Sequence, residues 1–360
     1  MTFKLISFDE ALKAAEQYGK KHLLLGNGFS IACKPDIFAY GSLFEEAKKT
    51  MSKELAAIFA AMGTQDFEEV IRALQHAAAI VSVYRPRFTT TQRLLLSDAD
   101  KLKKDLVEAV AGRHPARPNE ISDNRYHACR TFLANFIGDG VGGKIYTMNY
   151  DLLLYWAVMH EEEDPANLIS LQHDDGFRKD GDDYDAPYVE WQGEGAAHGQ
   201  CIHYLHGALH LFDAGHQLQK YTWVNTGKAL VDQANEALKN NFFPLFVAEG
   251  DSKSKLTKIQ HSAYLHHCFK SFAGVCQTGS RNGTALFVYG HSFAKNDAHV
   301  LDQIGHGKVS HLFVSLYGDP GSKTNLAIRA GVERIAALRP KIFTGLKFDF
   351  FDAASAKVWG

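Results

Sequence analysis

The chain has 360 residues, 46% of them hydrophobic and 22% charged, with a formal net charge of -2. That is enough apolar sequence for a sizeable core in one elaborated or two ordinary domains. The near balance of charge excludes the whole-protein positive field of an electrostatic nucleic-acid binder. Five scattered cysteines (Cys33, Cys129, Cys201, Cys268, Cys276) form no C-x-x-C pair, which excludes a zinc ribbon and a disulfide framework. The N-terminus shows no secretory signal pattern, and no apolar run approaches the length of a membrane span. A reduced, cytoplasmic protein with no membrane association is expected.

In chain order, residues 8–20 read as an amphipathic helix with Phe8, Leu12 and Ala15 on one face. His22-Leu23-Leu24-Leu25 is a short, continuously apolar run stopped by Gly26-Asn27-Gly28, the pattern of a buried parallel strand. Residues 42–140 are helical in pattern and are expected to form an insertion after the first strand. Strand character returns over 143–148 and is followed by an apolar helix from Leu152 to Met159. Residues 161–200 hold most of the acidic and glycine-rich sequence and are expected to form a flexible loop or lid. Further strands are expected at 201–206, stopped by Gly207, and at 284–289, 311–317 and 346–351, with helices at 256–273, 297–305 and 323–338. This alternation predicts an α/β fold: an open, mostly parallel Rossmann-like sheet with helices on both faces. Residues 1–41 and 141–360 together make that domain.

Ligands of such sheets bind beyond the carboxyl ends of the strands. Polar and glycine residues gather there in four places: Gly26-Asn27-Gly28, Asn149-Tyr150-Asp151, His206-Gly207 and Gly290-His291-Ser292. Two glycines one residue apart permit a sharp turn and a close approach to a pyrophosphate. The third glycine and the later acidic residue of dinucleotide dehydrogenases are missing. Asn149 or Asp151 can equally cap the helix that follows. His203, His206 and His210 invite a metal reading, but Gly207 breaks any helix between them and no H-E-x-x-H occurs, so no metal is expected. Gly318 to Thr324 imitates a phosphate-binding P-loop with the wrong spacing and reads as a turn and helix start. Arg85, Arg87 and Arg93, followed by Lys101, Lys103 and Lys104, form a local basic stretch that reads as a solvated face.

Taken in order, Gly26-Asn27-Gly28-Phe29-Ser30, Pro35-Asp36-Ile37-Phe38, Thr147-Met148-Asn149-Tyr150-Asp151, His206-Gly207 and Gly290-His291-Ser292 resemble the motifs of the sirtuin superfamily. The likeness is closest to the bacterial sirtuin-like NADase domains of antiphage defence systems. It runs from about residue 20 to 320 and is thin over the helical insertion and the acidic segment. The cysteine pairs of zinc-braced deacylases are missing, and so is the arginine expected after Asp36, which disfavours deacylation.

The resemblance implies NAD as substrate. Asn149 and His206 would be catalytic. Gly26, Asn27, Gly28, Phe29, Ser30, Asp36, Asp151, Gly290, His291 and Ser292 would contact the dinucleotide. Asp151 would receive the nicotinamide carboxamide, and Phe29 would shield the pocket, although a core aromatic explains it nearly as well. The implied function is NAD glycohydrolysis by the toxic effector of an antiphage system. It would act with a partner such as a HerA-type ATPase or another activator, and as a homo-oligomer. A deacylase or ADP-ribosyltransferase, or a non-catalytic NAD- or ADP-ribose-binding subunit, are the alternatives.

Overall fold

The computed structural model describes residues 5–38, 48, 51–63, 67–161, 168–179, 188–193, 199–213, 217–222, 227–229, 232–233, 244–247 and 252–360. Its strands are β1 (Leu5–Ile6), β2 (Lys20–Leu25), β3 (Ile145–Thr147), β4 (Phe177–Arg178), β5 (Tyr188–Trp191), β6 (Ile202–Tyr204), β7 (Gly207–Asp213), β8 (Leu218–Tyr221), β9 (Pro244–Phe246), β10 (Thr284–Tyr289), β11 (His311–Leu316) and β12 (Lys347–Asp352). The first helices are α1 (Phe8–Ala15), α2 (Gly28–Cys33), α3 (Pro35–Phe38), α4 (Lys53–Met62), α5 (Phe67–Tyr84) and α6 (Thr89–Arg113). They are followed by α7 (Asp123–Ile137), α8 (Leu153–Met159), α9 (Ser252–His261), α10 (Ala263–Gln277), α11 (Ala298–His306) and α12 (Lys323–Ala337).

Seven strands form a parallel sheet in the order β1-β12-β11-β10-β2-β3-β6. Read from β6 to β12, this is the 3-2-1-4-5-6 order of the doubly wound dinucleotide fold, with β1 added at the far edge. From β1 at that edge the chain crosses to the middle at β2, steps outward to β3 and β6, then returns to β10 on the other side. Strand order reverses between β2 and β10, the place where doubly wound sheets take their ligands. Leu23, Leu24 and Leu25 in β2 and Ala285 to Val288 in β10 are all buried. These central strands are therefore apolar without alternation.

Helix α7 falls inside the expected insertion but belongs to the main core. Its Phe132 packs on Phe8, and its Phe136 on Phe287 of β10. Buried Arg130 donates from the same helix to the carbonyls of Ala157, Val158 and Ile169, satisfying acceptors at the end of α8. The P-loop imitation is a turn followed by α12, whose Ser322 accepts from the Asn325 N–H. All five cysteines are free and buried. Among the described residues no helix is long and apolar enough to cross a membrane.

A second sheet departs from the sequence expectation. Strands β4-β5-β8-β7-β9 pair antiparallel, and two of them lie within the expected acidic loop. Asp175 of that segment is buried against the Lys220 ammonium at 2.5 Å, and Asp174 holds Arg178 at 2.6 Å. These acidic residues anchor the small sheet. Residues 162–167, 180–187 and 194–198 lie outside the described residues.

Near the C-terminus, Trp359 closes over α2. Its indole stacks obliquely on Phe29 at 5.2 Å and its Nε1–H donates to the Phe29 carbonyl at 2.9 Å. Trp359→Phe keeps most of the packing but removes that hydrogen bond, so urea unfolding is expected to show a loss of about 0.5–1.5 kcal/mol. An unchanged midpoint would mean the bond does not hold the loop.

Candidate functional site

Two buried polar clusters stand at the carboxyl ends of the central strands. The first joins β2 to β3. Asn149 Nδ2 donates to the Gly26 carbonyl at 3.0 Å and to Ser30 Oγ at 2.9 Å. The Gly26 carbonyl can only accept, which fixes the amide orientation. Ser30 passes its own hydroxyl hydrogen to Asp151 Oδ2 at 2.5 Å. The other Asp151 oxygen accepts from the Leu153 N–H at 2.9 Å, so Asp151 holds the first N–H of α8 and anchors Ser30 at once. Burial raises the Asp151 carboxyl above its ordinary value, and the Ser30 hydrogen bond opposes the shift. Both Asn149 hydrogens are committed. Among the described residues nothing donates to its Oδ1, the acceptor left for a ligand.

The second cluster links the β6–β7 turn to the segment after β10. His206 Nε2 lies 3.0 Å from His299 Nε2, and Ser252 Oγ meets His299 Nδ1 at 3.3 Å. His291 Nδ1 accepts from the Phe293 N–H at 2.9 Å, so its proton sits on Nε2. From there it donates to Asp297 Oδ2 at 3.3 Å. Lys255 Nζ meets the other Asp297 oxygen at 3.2 Å. Burial pushes His206 down to about 3, with Asp297 opposing, and His299 down to about 4. Burial alone would raise Asp297, but the His291 hydrogen bond and the Lys255 ammonium hold it well below the usual carboxylate range. At neutral pH the cluster therefore has two neutral imidazoles beside an ionised carboxylate.

The loops between the clusters are locked backbone to backbone. Gly26 N–H donates to the Tyr289 carbonyl and Gly28 N–H to the Gly290 carbonyl, at 2.9 and 2.8 Å. A Cβ on Gly28 would lie 2.5 Å from Gly290 Cα. The glycines therefore serve the close approach of β2 and β10, where the sequence suggested approach to a pyrophosphate. In the run 26–30 only the Asn27 N–H lacks an acceptor among the described residues, so the loop offers an anion one donor and no cradle.

Other candidates fall elsewhere. Asn27 reaches back to the Phe38 carbonyl at 2.9 Å. Ser30 is fully buried, and Phe29 packs into the core against Trp359, so its ring does not line the pocket. Asp36 and Ser292 are exposed. Phe293, next to His291, adopts φ 57, a strained conformation for an aromatic residue beside a site. His203 and His210 do not converge with His206; each is fully buried and stacked on a tyrosine, Tyr146 and Tyr155.

His299, Lys255 and Ser252 were invisible to motif reading. They sit on helices with no local signal, and only the tertiary fold brings them to His206. Among the described residues, His206, Asp297 and His299 form the one group of three donors whose ligand atoms lie within 4.8 Å of each other. A divalent cation there would share Asp297 with an ammonium group 3.2 Å away, which like charge opposes.

Fold and site together define a doubly wound α/β protein with two buried polar clusters at its topological switch point. The chain belongs to the family described as a domain of unknown function (DUF4917), which matches residues 23–359 and so takes in both clusters. No curated protein matches it.

Proposed function

We propose that the protein is a sirtuin-like NAD glycohydrolase that cleaves the bond between nicotinamide and ribose. The observation that carries this reading is Asn149. Its amide is pinned by Gly26 and Ser30 with Oδ1 left over, beside the switch point where doubly wound sheets take dinucleotides. His206 follows the neighbouring strand. In this reading Asn149 Oδ1 orients a water or ribose hydroxyl by accepting its hydrogen. His206 accepts the proton released as the nucleophile adds to the oxocarbenium-like ribose that nicotinamide leaves behind. That proton is shared with His299, and the charge it creates faces Asp297, whose ionised carboxylate stabilises it. Water addition yields nicotinamide and ADP-ribose.

Such an activity consumes the NAD of its own cell. The reading therefore includes control by a partner, a HerA-type ATPase or another activator, or by self-assembly, in antiphage defence. Purified protein incubated with NAD, alone and with candidate activators, is expected to release nicotinamide. Asn149→Ala and His206→Ala are each expected to slow release by at least about 100-fold. Variants as fast as wild type would sink the residue assignments. Calorimetric binding of NAD or ADP-ribose without release under any condition would replace the hydrolase with a non-catalytic binding subunit.

A further inference from the structure

The hairpin formed by α5 and α6 ends in a tip that nothing covers. Ala78 and Ala99 are buried, yet from Ala79 to Asp98 no residue is. Six of the eleven large apolar side chains exposed among the described residues stand in this stretch: Ile80, Val83, Tyr84, Phe88, Leu94 and Leu96. Val83 is 76% exposed and Tyr84 80%. Scattered apolar residues on a surface need no explanation, but a concentration of them marks an interaction site.

The same tip is cationic. No Asp or Glu occurs between Glu69 and Asp98, while Arg85, Arg87 and Arg93 are all exposed. Arg85 lies over the Phe88 ring at 5.5 Å, and Arg93 folds back towards Thr89. Among the described residues none of the three forms an ion pair. Farther along α6 the charges are mixed, with Lys103 beside Asp100, so the basic stretch of the sequence divides into a solvated face and this tip.

We propose that the hairpin tip docks the protein on an anionic lipid surface. Arginine guanidinium groups suit lipid phosphates. Tyr and Phe are at home at the depth of the headgroups, and the aliphatic side chains gain by leaving water. The last helical turns beyond the buried layer, Ala79 to Tyr84, rise about 9 Å, which matches the roughly 5–10 Å to which interfacial elements enter a bilayer. Nucleic acid would use the arginines but leave Ile80, Val83 and Leu94 without partners. A second copy of the same tip would set arginines against arginines with no acid between them. Docking of this kind is peripheral and needs no spanning helix.

The test is co-sedimentation of the full chain with vesicles of phosphatidylglycerol and phosphatidylcholine in equal parts, against pure phosphatidylcholine. Binding is expected only to the anionic vesicles and is expected to weaken with salt. The triple variant Arg85→Ala, Arg87→Ala, Arg93→Ala should bind roughly 100-fold less tightly. Val83→Asp with Phe88→Asp should lose at least about tenfold. Both variants should keep the wild-type thermal midpoint, since neither touches a buried contact. The proposal is overturned if anionic vesicles are not bound or if both variants bind as wild type does. It is equally overturned by oligonucleotide binding that the arginine variant abolishes while vesicles stay unbound. Loss of a dimer in Val83→Asp without vesicle binding would make the tip an interface between copies.

Discussion

Mild acid is expected to unfold this protein. Besides His311, which is paired with Asp349, six imidazoles are deeply buried with depressed pKa values: His22 and His206 at about 3, His114 and His299 at about 4, and His203 and His210 well below the ordinary value. Burial is the leading cause in each. A group depressed in the folded state favours folding above its unfolded pKa. That advantage is lost as pH falls from 6.5 towards the folded pKa, because only the unfolded chain takes up the proton. Each ring then costs about 1.4 kcal/mol per pH unit. Six rings together rival the whole stability of an ordinary domain, about 5–15 kcal/mol, within roughly one to two pH units. Thermal or urea midpoints should be flat above neutrality and collapse between about pH 6.5 and 5. A midpoint at about pH 5 equal to that at pH 7.5 would show that these rings are not sealed from water. His203 and His210 should contribute strongly, since neither ring nitrogen of either has a hydrogen-bond partner among the described residues.

The second large effect is at Gly290, where β10 turns beside the first loop. Its φ is 70°, and an added Cβ would lie 2.5 Å from Gly28 Cα and 2.7 Å from Phe29 N. Left-handed backbone costs an L-residue about 1–2 kcal/mol. Overpacking adds about 1–3 kcal/mol, and here the opposing atoms are backbone that cannot swing away. Gly318 provides the control: it has the same φ of 70° with nothing within 4 Å of an added Cβ. Gly318→Ala is expected to show the conformational cost alone, and Gly290→Ala that cost plus the clash. Equal losses in urea unfolding would remove the argument that the two glycine turns are locked together. The same lock positions Gly26, whose carbonyl holds Asn149, so Gly290→Ala should also disturb the first cluster.

The parallel sheet was legible because its central strands are buried on both faces and therefore read as unbroken apolar runs. The expected 284–289 is the observed span of β10, 311–317 runs one residue past β11, and 346–351 is offset from β12 by one residue at both ends. The antiparallel sheet was not legible. Tyr188–Trp191 and Leu218–Tyr221 are only four residues long and are interrupted by Glu190 and by Gln219 and Lys220, and their pairing depends on contacts such as Lys220 with Asp175 that no local pattern announces. The glycine turns were found for one reason and serve another: spacing shows that the backbone bends there, not what it bends towards. Asn149 and Asp151 were visible as a strand end, whereas the hydrogen bonds to Ser30 required two strands to be adjacent. His206 was singled out by its dipeptide, but His299, 93 positions away, reaches it only through the docking of α11.

The pairing of β2 with β10 sets Lys20 beside Thr284, and this has a consequence for biosynthesis. A ribosome adding about 5–20 residues per second delivers β10 some tens of seconds after β2. Throughout that interval one edge of an apolar strand waits without its neighbour, a natural client for a chaperone. Asp297 and His299 emerge later still. A nascent or prematurely released chain thus carries Asn149 and His206 with no opposing wall. In the proposed reading, the order of synthesis itself delays the appearance of a working enzyme until β10 and α11 have been made.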